Sequence, residues 1–356
     1  MRIGLRRESR LDEQRVALTP AGVKSLVSDG HEVVVDSGAG TASGYADIVY
    51  QQVGARVSHD PQEVLNSPIL VSLGLPEYFE PVADQCVMAY YHRPLDANEL
   101  KVYGNRSASA IALERVRDAQ GNRALLAVMS RLAGQRAVSA VVKWLGRPDR
   151  EEVTWGATPG RLPRHLVVFG GGPAGTSAAW LGQSLGAKIT IVEPNRRLHP
   201  ILTGYGLDVL DELELLPKVL RAADGVICSA IGDDGIPPTV LTRSLLSMLS
   251  CGTVVVDLAV TDGGSVEGLR PTTLANPVQM LDGGVVGIAV PNWASMSPQP
   301  ASQGLTTQLM PVVRRVARWG VSETLRRYPG IAAGTHVLEG AFVGHAPVRM
   351  PEAVQS

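Results

Sequence analysis

Short apolar runs alternate with helical patterns over the first third of the chain. Five of these runs have the length and β-branched content of buried strands: residues 2–5, 32–36, 69–73, 87–91 and 108–112. Between the first two, residues 20–29 have apolar positions at helical spacing. Strands that alternate with helices are typical of a parallel sheet with crossover helices. The pattern therefore predicts an α/β fold for this part.

The same alternation resumes after residue 164. A pattern of helical apolar spacing without proline covers residues 124–145 and predicts one long helix that leads into a second domain. A connector rich in glycine, proline and charge follows at 146–164, and a second series of apolar runs starts at 166. A further helical pattern at about 305–328 is predicted to return the chain to the first domain.

Composition narrows the classes of function. The chain has 356 residues, enough for two domains with separate cores, and a formal net charge of -1. Without a basic excess, neither nucleic acid nor an anionic membrane is an expected partner, so the partner is predicted to be a small molecule. There is no signal-peptide pattern and no apolar run of roughly 18 residues, which predicts a cytoplasmic protein. The histidines have no metal-ligand spacing, and no metal site is predicted.

A glycine-rich turn lies directly after the apolar run at 166–169. In it, Gly170 suits a tight turn, Gly172 allows the backbone to approach a pyrophosphate, and Gly175 allows close packing of helix on strand. With Pro173 and Ala174 between these glycines, the turn precedes a helical pattern at 176–185, whose N-terminus would offer free N–H groups to phosphates. This arrangement predicts a dinucleotide-binding site.

An acidic residue completes the nucleotide pattern. The next apolar run ends at Glu193, 21 residues after Gly172, where a carboxylate can accept the ribose hydroxyls. A carboxylate favours NAD because it repels a 2′-phosphate, whereas Arg196 and Arg197 would attract that phosphate. NAD is therefore the predicted cofactor, and NADP stays possible.

Two separated signatures resemble the alanine dehydrogenase and pyridine nucleotide transhydrogenase (domain I) family. The N-terminal signature comprises Gly4, Glu8, Glu13, Arg15, Val16, Ala17, Thr19 and Pro20. The second covers the glycine turn through Glu193. Further similar stretches are Met129-Ser130, Val256 to Ala259, Arg270 to Thr273, and Asn292. The resemblance extends over nearly the whole chain.

The resemblance implies two Rossmann-like domains with an interdomain cleft. Residues 1–125 plus 301–356 would form the substrate domain and residues 126–300 the dinucleotide-binding domain, with Ser130 and Asn292 beside the nucleotide. Arg15 matches the arginine that binds the substrate carboxylate, and His92 matches the acid/base histidine. Both residue types suit these tasks, since guanidinium binds carboxylate bidentately and imidazole titrates near neutral pH. A homo-oligomer is also implied.

The chain departs from the family pattern at the substrate site. Arg6 stands where a proline is usual, and Gly74, in Ser72-Leu73-Gly74-Leu75-Pro76, stands where a lysine holds the substrate. Arg93 is a candidate replacement for that cation. Thr261 stands where an aspartate is usual, and Asp262 is one residue further along. Because a shift of one residue in an extended segment turns the side chain to the other face, Asp262 is only a candidate for that role.

Two functions remain open on the sequence. The first is an NAD(P)-dependent oxidoreductase of an amino acid, imino acid or 2-oxo acid, with Arg15 as carboxylate clamp, His92 as acid/base and an altered substrate site at Thr261 and Asp262. Loss of groups associated with ammonia addition favours reduction of a preformed imine. The alternative is a non-catalytic nucleotide-binding or regulatory protein that keeps the fold. Hydride exchange between nucleotides, as in transhydrogenase domain I, ranks last.

Overall fold

The computed structural model describes residues 1–10, 12–76, 78–91, 95–145, 154–210, 213–232 and 236–343. The chain divides into two compact units. The N-terminal unit comprises Met1–Met129 and Ser297–Ser356, and the C-terminal unit comprises Ser130–Met296. The prediction of two α/β domains built on largely parallel sheets is confirmed.

The N-terminal unit is built on an eight-stranded sheet among its described residues. Its strands are β1 (Arg2–Leu5), β2 (Glu32–Asp36), β3 (Arg56–Ser58), β4 (Ile69–Val71), β5 (Cys86–Ala89), β6 (Ser109–Ala112), β13 (Thr335–Leu338) and β14 (Ala341–Phe342). Their order is β14-β13-β6-β5-β4-β1-β2-β3. All neighbours pair in parallel except β13, which is antiparallel to β6 and to β14.

Helices cover this sheet. They are α1 (Pro20–Ser28), α2 (Asp47–Gln52), α3 (Pro61–Leu65), α4 (Ala97–Asn105), α10 (Pro298–Trp319), α11 (Val321–Arg327) and α12 (Pro329–Ala332). Helix α4 begins with a capping box, in which the Asp96 side chain accepts from the Glu99 backbone N–H and the Glu99 side chain accepts from the Asp96 N–H. The predicted single helix at 305–328 is wrong at its end. Helix α10 ends at Trp319 and α11 begins at Val321, because Gly320 between them has a φ of +75°, a non-helical conformation that glycine adopts without strain.

The C-terminal unit is built on a six-stranded sheet among its described residues. Its strands are β7 (His165–Phe169), β8 (Lys188–Val192), β9 (Gly225–Cys228), β10 (Val254–Asp257), β11 (Gln279–Leu281) and β12 (Val285–Ile288). Their order is β11-β12-β10-β9-β7-β8, and only the edge strand β11 pairs antiparallel. Its shorter helices are α6 (Pro173–Ser184), α7 (His199–Gly204), α8 (Leu216–Arg221) and α9 (Arg243–Leu246).

One long helix, α5 (Ala124–Leu145), has the bounds that its apolar spacing predicts. The division between the two units falls within it, after Met129. By length and mean hydropathy α5 would be apolar enough to cross a membrane, although Arg131, Arg136 and Lys143 interrupt it and leave no continuous apolar run of roughly 18 residues. Its residues Ala137, Val138 and Val141 are instead fully buried in the core of the C-terminal unit, which is the usual position of an apolar helix in a doubly wound fold.

Each sheet has a switch point, where consecutive connections run to opposite sides. In the N-terminal unit the order β3-β2-β1-β4-β5-β6 places it between β1 and β4. In the C-terminal unit it lies between β7 and β9, because β8 is on the other side of β7. The carboxyl ends of the strands beside a switch point form the crevice in which ligands of open α/β sheets bind. The fold therefore marks two places at which functional side chains are expected.

Candidate functional site

The glycine turn lies at the switch point of the C-terminal unit. It connects β7 to α6, which begins at Pro173 and has Gly172 as its N-terminal capping residue. The helix thus starts three residues earlier than predicted, because proline suits the first helical position. Gly170 has a φ of +93°. A Cβ atom there would lie 2.9 Å from the Ala230 backbone nitrogen, so the turn passes close to the end of β9.

Two glycines differ sharply in their surroundings. A Cβ atom on Gly175 would lie 1.8 Å from the Gly170 carbonyl oxygen and 2.9 Å from Ser229 Oγ, so only glycine fits between helix and strand. Among the described residues, no atom would lie within 4 Å of a Cβ atom on Gly172. The glycine at 172 is therefore not required by packing, and the space beside it is available to a phosphate.

A third close approach holds α6 in place from the other side. A Cβ atom on Gly134, in helix α5, would lie 2.1 Å from the Ala174 carbonyl oxygen. The first turn of α6 is thus in backbone contact with α5. This contact explains why position 134 is a glycine.

Glu193 follows β8 and reaches the glycine turn. Its Oε2 accepts from the Gly171 backbone N–H at 2.6 Å, and its Oε1 accepts from the Asn195 N–H at 2.8 Å. The carboxylate is half-buried and lies at the carboxyl end of the sheet beside the helix N-terminus. This is the position in which a carboxylate can accept ribose hydroxyls.

Thr261 and Asp262 lie in a turn that follows β10. Both are exposed, and both belong to a single 3₁₀ turn, Val260–Asp262. The expectation of an extended segment is therefore wrong. Successive residues of a 3₁₀ turn are about 120° apart rather than on opposite faces, so the argument against Asp262 from alternation does not hold here.

The turn after β10 is held by a buried carboxylate. Asp257 accepts from the Ala259 N–H at 2.8 Å and from the Ser265 N–H at 2.7 Å. Burial raises the pKa of Asp257 above its ordinary value, although these backbone N–H groups oppose the rise. Asp257 is thus a positioning residue for the segment that carries Thr261 and Asp262, a role that the sequence did not reveal.

The two other residues predicted beside the nucleotide are in different settings. Asn292 follows β12 and has a φ of +57°, a conformation in which asparagine is enriched and which recurs at functional sites. Ser130 is half-buried in α5, at the first position of the C-terminal unit. The adjacent Trp293 is buried in the core, and Met296 packs against that core, so the structure supports a packing role for both.

Arg15 lies in the N-terminal unit and is already paired. It is buried, and its Nε and NH2 groups donate to the two carboxylate oxygens of Glu13 at 2.7 and 2.5 Å. Its NH1 group donates to Met129 Sδ at 3.1 Å. Burial lowers the pKa of Arg15, but the hydrogen bonds and the charge of Glu13 outweigh it and raise the pKa above its ordinary value. Glu13 thus fixes one edge of a permanently charged guanidinium, whose NH1 group faces a weak acceptor, the Met129 sulfur, among the residues that the structure describes.

A second buried arginine lies at the switch point between β1 and β4. Arg6 follows β1, and its NH1 group donates to the Gly74 carbonyl oxygen at 2.8 Å. Glu8 lies beside it, with 3.7 Å between Arg6 NH1 and Glu8 Oε2. Glu8 accepts from the backbone N–H groups of Leu73 and Gly74 at 2.7 and 3.0 Å and from Ser72 Oγ at 3.0 Å. Burial raises the pKa of Glu8 in spite of these donors.

His92 and Arg93 lie outside the described residues. The chain before them is held by Glu114, whose carboxylate accepts from the Tyr91 N–H at 3.2 and 3.4 Å. Tyr90 is buried and lies within electrostatic range of Arg15. The described end of this segment is thus next to the Arg15 cluster. Within the described ranges no group of three His, Cys, Asp or Glu side chains could hold a metal ion.

Two protein-family models match this chain, one over its N-terminal part and one over its C-terminal part. Residues 4–133 match the model of the alanine dehydrogenase/PNT N-terminal domain, and residues 139–345 match that of the C-terminal domain. The alanine dehydrogenase of Halomonas elongata is 31% identical over 97% of this chain and 95% of its own length. That of Bacillus subtilis is 29% identical over 98% and 94%.

Solved structures extend this similarity to the fold. An L-alanine dehydrogenase has a TM-score of 0.88 and 31% identity, with 97% of both chains covered. A transhydrogenase from Sinorhizobium meliloti has a TM-score of 0.83 at 24% identity, which supports the fold alone. Because both domain models and near-full-length relatives match, the chain belongs to the alanine dehydrogenase/PNT family of nicotinamide-nucleotide oxidoreductases.

Proposed function

We propose that this oxidoreductase transfers hydride between a nicotinamide nucleotide and an amino acid, imino acid or 2-oxo acid, at a substrate site altered from that of its relatives. The observation that carries the proposal is the buried, charged Arg15, held by Glu13 at the carboxyl end of the N-terminal sheet. A buried guanidinium with one edge against a weak acceptor is suited to receive a carboxylate.

The C-terminal unit, residues 130–296, is proposed to bind the nucleotide. Gly172 leaves room for the pyrophosphate, the N-terminus of α6 supplies N–H donors, and Glu193 takes the ribose hydroxyls. The bound nucleotide supplies the hydride. We propose NAD over NADP, because the Glu193 carboxylate is already part of the turn and would repel a 2′-phosphate. Ser130 and Asn292 are proposed to lie beside the nucleotide.

His92 is proposed as the acid/base. An imidazole titrates near neutral pH, so it can donate a proton to a substrate carbonyl or imine and recover it in the reverse direction. Thr261 and Asp262 are proposed to border the reacting carbon, where a hydroxyl and a carboxylate replace the usual arrangement. Since these changes affect groups associated with ammonia addition, a preformed imine is the favoured substrate. The N-terminal unit is proposed as the substrate domain.

A non-catalytic nucleotide-binding role is the second candidate. Gly74 and Thr261 favour it, since both lack the charged side chains of the family pattern. The protein is further proposed to be cytoplasmic and to form a homo-oligomer, which light scattering of the purified chain would test. These proposals follow from composition and from the resemblance, respectively.

The test is oxidation of NADH and NADPH against a panel of 2-oxo acids and cyclic imines, with and without ammonia and primary amines. Turnover that His92→Ala lowers by at least about 100-fold, the usual contribution of acid/base catalysis, supports the proposal. Turnover that needs no added amine would identify imine reduction or reduction of the 2-oxo acid itself. Lys101→Ala, at an exposed position of α4, is the control for nonspecific effects.

Two results would contradict the proposal. Wild-type protein that binds NADH tightly but oxidises it with no member of the panel would favour the non-catalytic role. Equal turnover by wild type and His92→Ala would leave the oxidoreductase in place but remove His92 from its mechanism.

A further inference from the structure

The two departures from the family pattern in the N-terminal unit meet in space. Arg6 and Gly74 are 68 residues apart in the chain, yet the Arg6 NH1 group donates to the Gly74 carbonyl at 2.8 Å. The contact forms because β1 and β4 are parallel neighbours, so residues that follow each strand come together at the same edge. Arg6 also donates to Ser9 Oγ at 3.0 Å, which fixes its second terminal nitrogen.

Position 74 has space for a side chain, but its glycine supplies neither a side chain nor a charge. A Cβ atom on Gly74 would lie 3.5 Å from Glu8 Oε2, an ordinary van der Waals contact, and would meet no other atom within 4 Å in the described part of the chain. Glycine is thus not required there by packing, and its φ is not in the left-handed region. The positive charge at this place comes from the Arg6 guanidinium, whose side chain is only 8% exposed.

Arg6 and Arg15 each lie in a small buried cluster of charges in the segment between β1 and α1. Each guanidinium is beside its own carboxylate, Glu8 and Glu13 respectively. The clusters are close enough that the charge of Glu13 contributes to raising the pKa of Glu8, and Glu8 contributes to raising the pKa of Arg15. Burying four charged groups at a strand edge is costly for folding alone, whereas such an arrangement suits recognition of a charged ligand.

We propose that Arg6 is a specificity-determining residue that binds the substrate together with Arg15. Its guanidinium receives the carboxylate or oxo oxygen that a side chain at position 74 would otherwise contact, and the space left by Gly74 admits a substrate with a side chain larger than methyl. This proposal rests on the proposed oxidoreductase function. It assigns Arg6, rather than Arg93, as the cation that replaces the family lysine.

The experiment moves the cation between the two positions. Arg6→Gln keeps an N–H donor and removes the charge, and Arg6→Gln/Gly74→Lys returns a charge from the neighbouring strand. With the 2-oxo acid or imine that wild type turns over best, Arg6→Gln is expected to lower kcat/KM on the order of 100-fold, mainly through KM. The double variant is expected to recover at least about tenfold and to prefer smaller substrates than wild type.

Controls separate substrate binding from a structural role. Arg10→Gln removes an exposed guanidinium from the same loop, where Arg10 pairs with Asp12, and is expected to leave kcat/KM within about twofold. The Kd for NADH, measured by fluorescence, is expected to stay unchanged in every variant. If Arg6→Gln does not fold, Arg6→Lys keeps the charge on a different donor and is expected to lose about tenfold.

The outcomes distinguish this proposal from the function on which it rests. The proposal is overturned if wild type and Arg6→Gln turn over a substrate equally, or if adding Gly74→Lys to Arg6→Gln restores no activity. Arg6 would then serve only to fix the turn at 72–74. If wild type turns over no substrate, binding of pyruvate and of the larger 2-oxo acids of the panel in the presence of NAD is measured by calorimetry. Loss of that binding in Arg6→Gln and its recovery in the double variant support Arg6 without supporting catalysis, whereas no binding by wild type overturns both proposals.

Discussion

Two glycines of the proposed nucleotide-binding turn, Gly172 and Gly175, are expected to respond in opposite ways to the same substitution. Gly172→Ala adds a methyl group where no atom of the described residues lies within 4 Å, in a backbone conformation, φ -70° and ψ -172°, that alanine also adopts. Gly175→Ala adds it 1.8 Å from the Gly170 carbonyl oxygen. One change should therefore affect the ligand, and the other should affect the fold.

The magnitudes follow from these distances. At Gly172, a lower N-cap preference and a less flexible unfolded chain offset each other, so the free energy of unfolding should change by less than about 1 kcal/mol. The methyl group would displace the pyrophosphate from one or two backbone N–H groups, which costs about 1.5–3 kcal/mol, or roughly 10- to 150-fold in the Kd for NADH. At Gly175, α6 must move by about 1.5 Å to reach an ordinary contact, which costs about 2–4 kcal/mol.

Thermal unfolding and NADH titration measure both effects. For a protein of this size, the cost at Gly175 should lower the Tm by roughly 4 °C or more, whereas Gly172→Ala should melt within about 2 °C of wild type. Gly204→Ala, at the end of α7, is the matched control and should change neither value, because the added group has no neighbour within 4 Å in the part of the chain that the structure describes. Wild-type affinity for NADH in Gly172→Ala would refute the placement of the pyrophosphate beside this glycine. A wild-type Tm in Gly175→Ala would refute the packing argument.

Three further predictions concern charged and titrating groups. Glu193→Ala should raise the Kd for NADH about tenfold and reduce discrimination against NADPH, because it removes the repelling carboxylate; an unchanged NADH/NADPH ratio in fluorescence titrations would contradict this. Arg15→Lys should lower kcat/KM about 100-fold, because an ammonium cannot bind Glu13 and a substrate carboxylate with the same fork geometry. Steady-state kinetics measure this loss, and unchanged kinetics would contradict it. Burial, assisted by the charge of Arg115, lowers the pKa of His336 to about 4. Between about pH 4 and 6.5 the unfolded chain therefore binds more protons than the folded chain. The free energy of unfolding should fall as the pH falls through that window, by roughly 2 kcal/mol at pH 5. In urea titrations at pH 7 and pH 5, His336→Phe should lose that part of the pH dependence, and an unchanged difference would exclude His336 as its source.

Much of the proposed nucleotide site could be predicted from the sequence because its parts are close in the chain. The turn from Gly170 to Gly175 is a single strand-to-helix connection, and Glu193 ends the next strand, so spacing alone brings them together. The same holds for α5, whose bounds follow from 22 residues of unbroken helical spacing. Local pattern was less reliable at Thr261 and Asp262, where a buried carboxylate at Asp257 holds a 3₁₀ turn instead of an extended segment.

The contacts within the proposed substrate site of the N-terminal unit could not be predicted without the tertiary structure. In the sequence, Arg6 only replaces a proline that is usual in the family pattern, and Gly74 only replaces a lysine. Their connection arises from the pairing of β1 with β4, which closes a loop of more than sixty residues and which no local pattern encodes. Likewise, Glu13 was a member of a signature, and the structure made it the partner that orients Arg15.

The sequence by itself determined the class of fold, the glycine turn between β7 and α6 and the family, because hydrophobic periodicity and short motifs act over one or two neighbouring elements. The tertiary structure alone decided which charges share a buried environment. The reason is physical: a carboxylate or a guanidinium acquires its partner and its pKa from groups within a few ångströms, and at the carboxyl edge of a parallel sheet those groups come from strands that are distant in the chain.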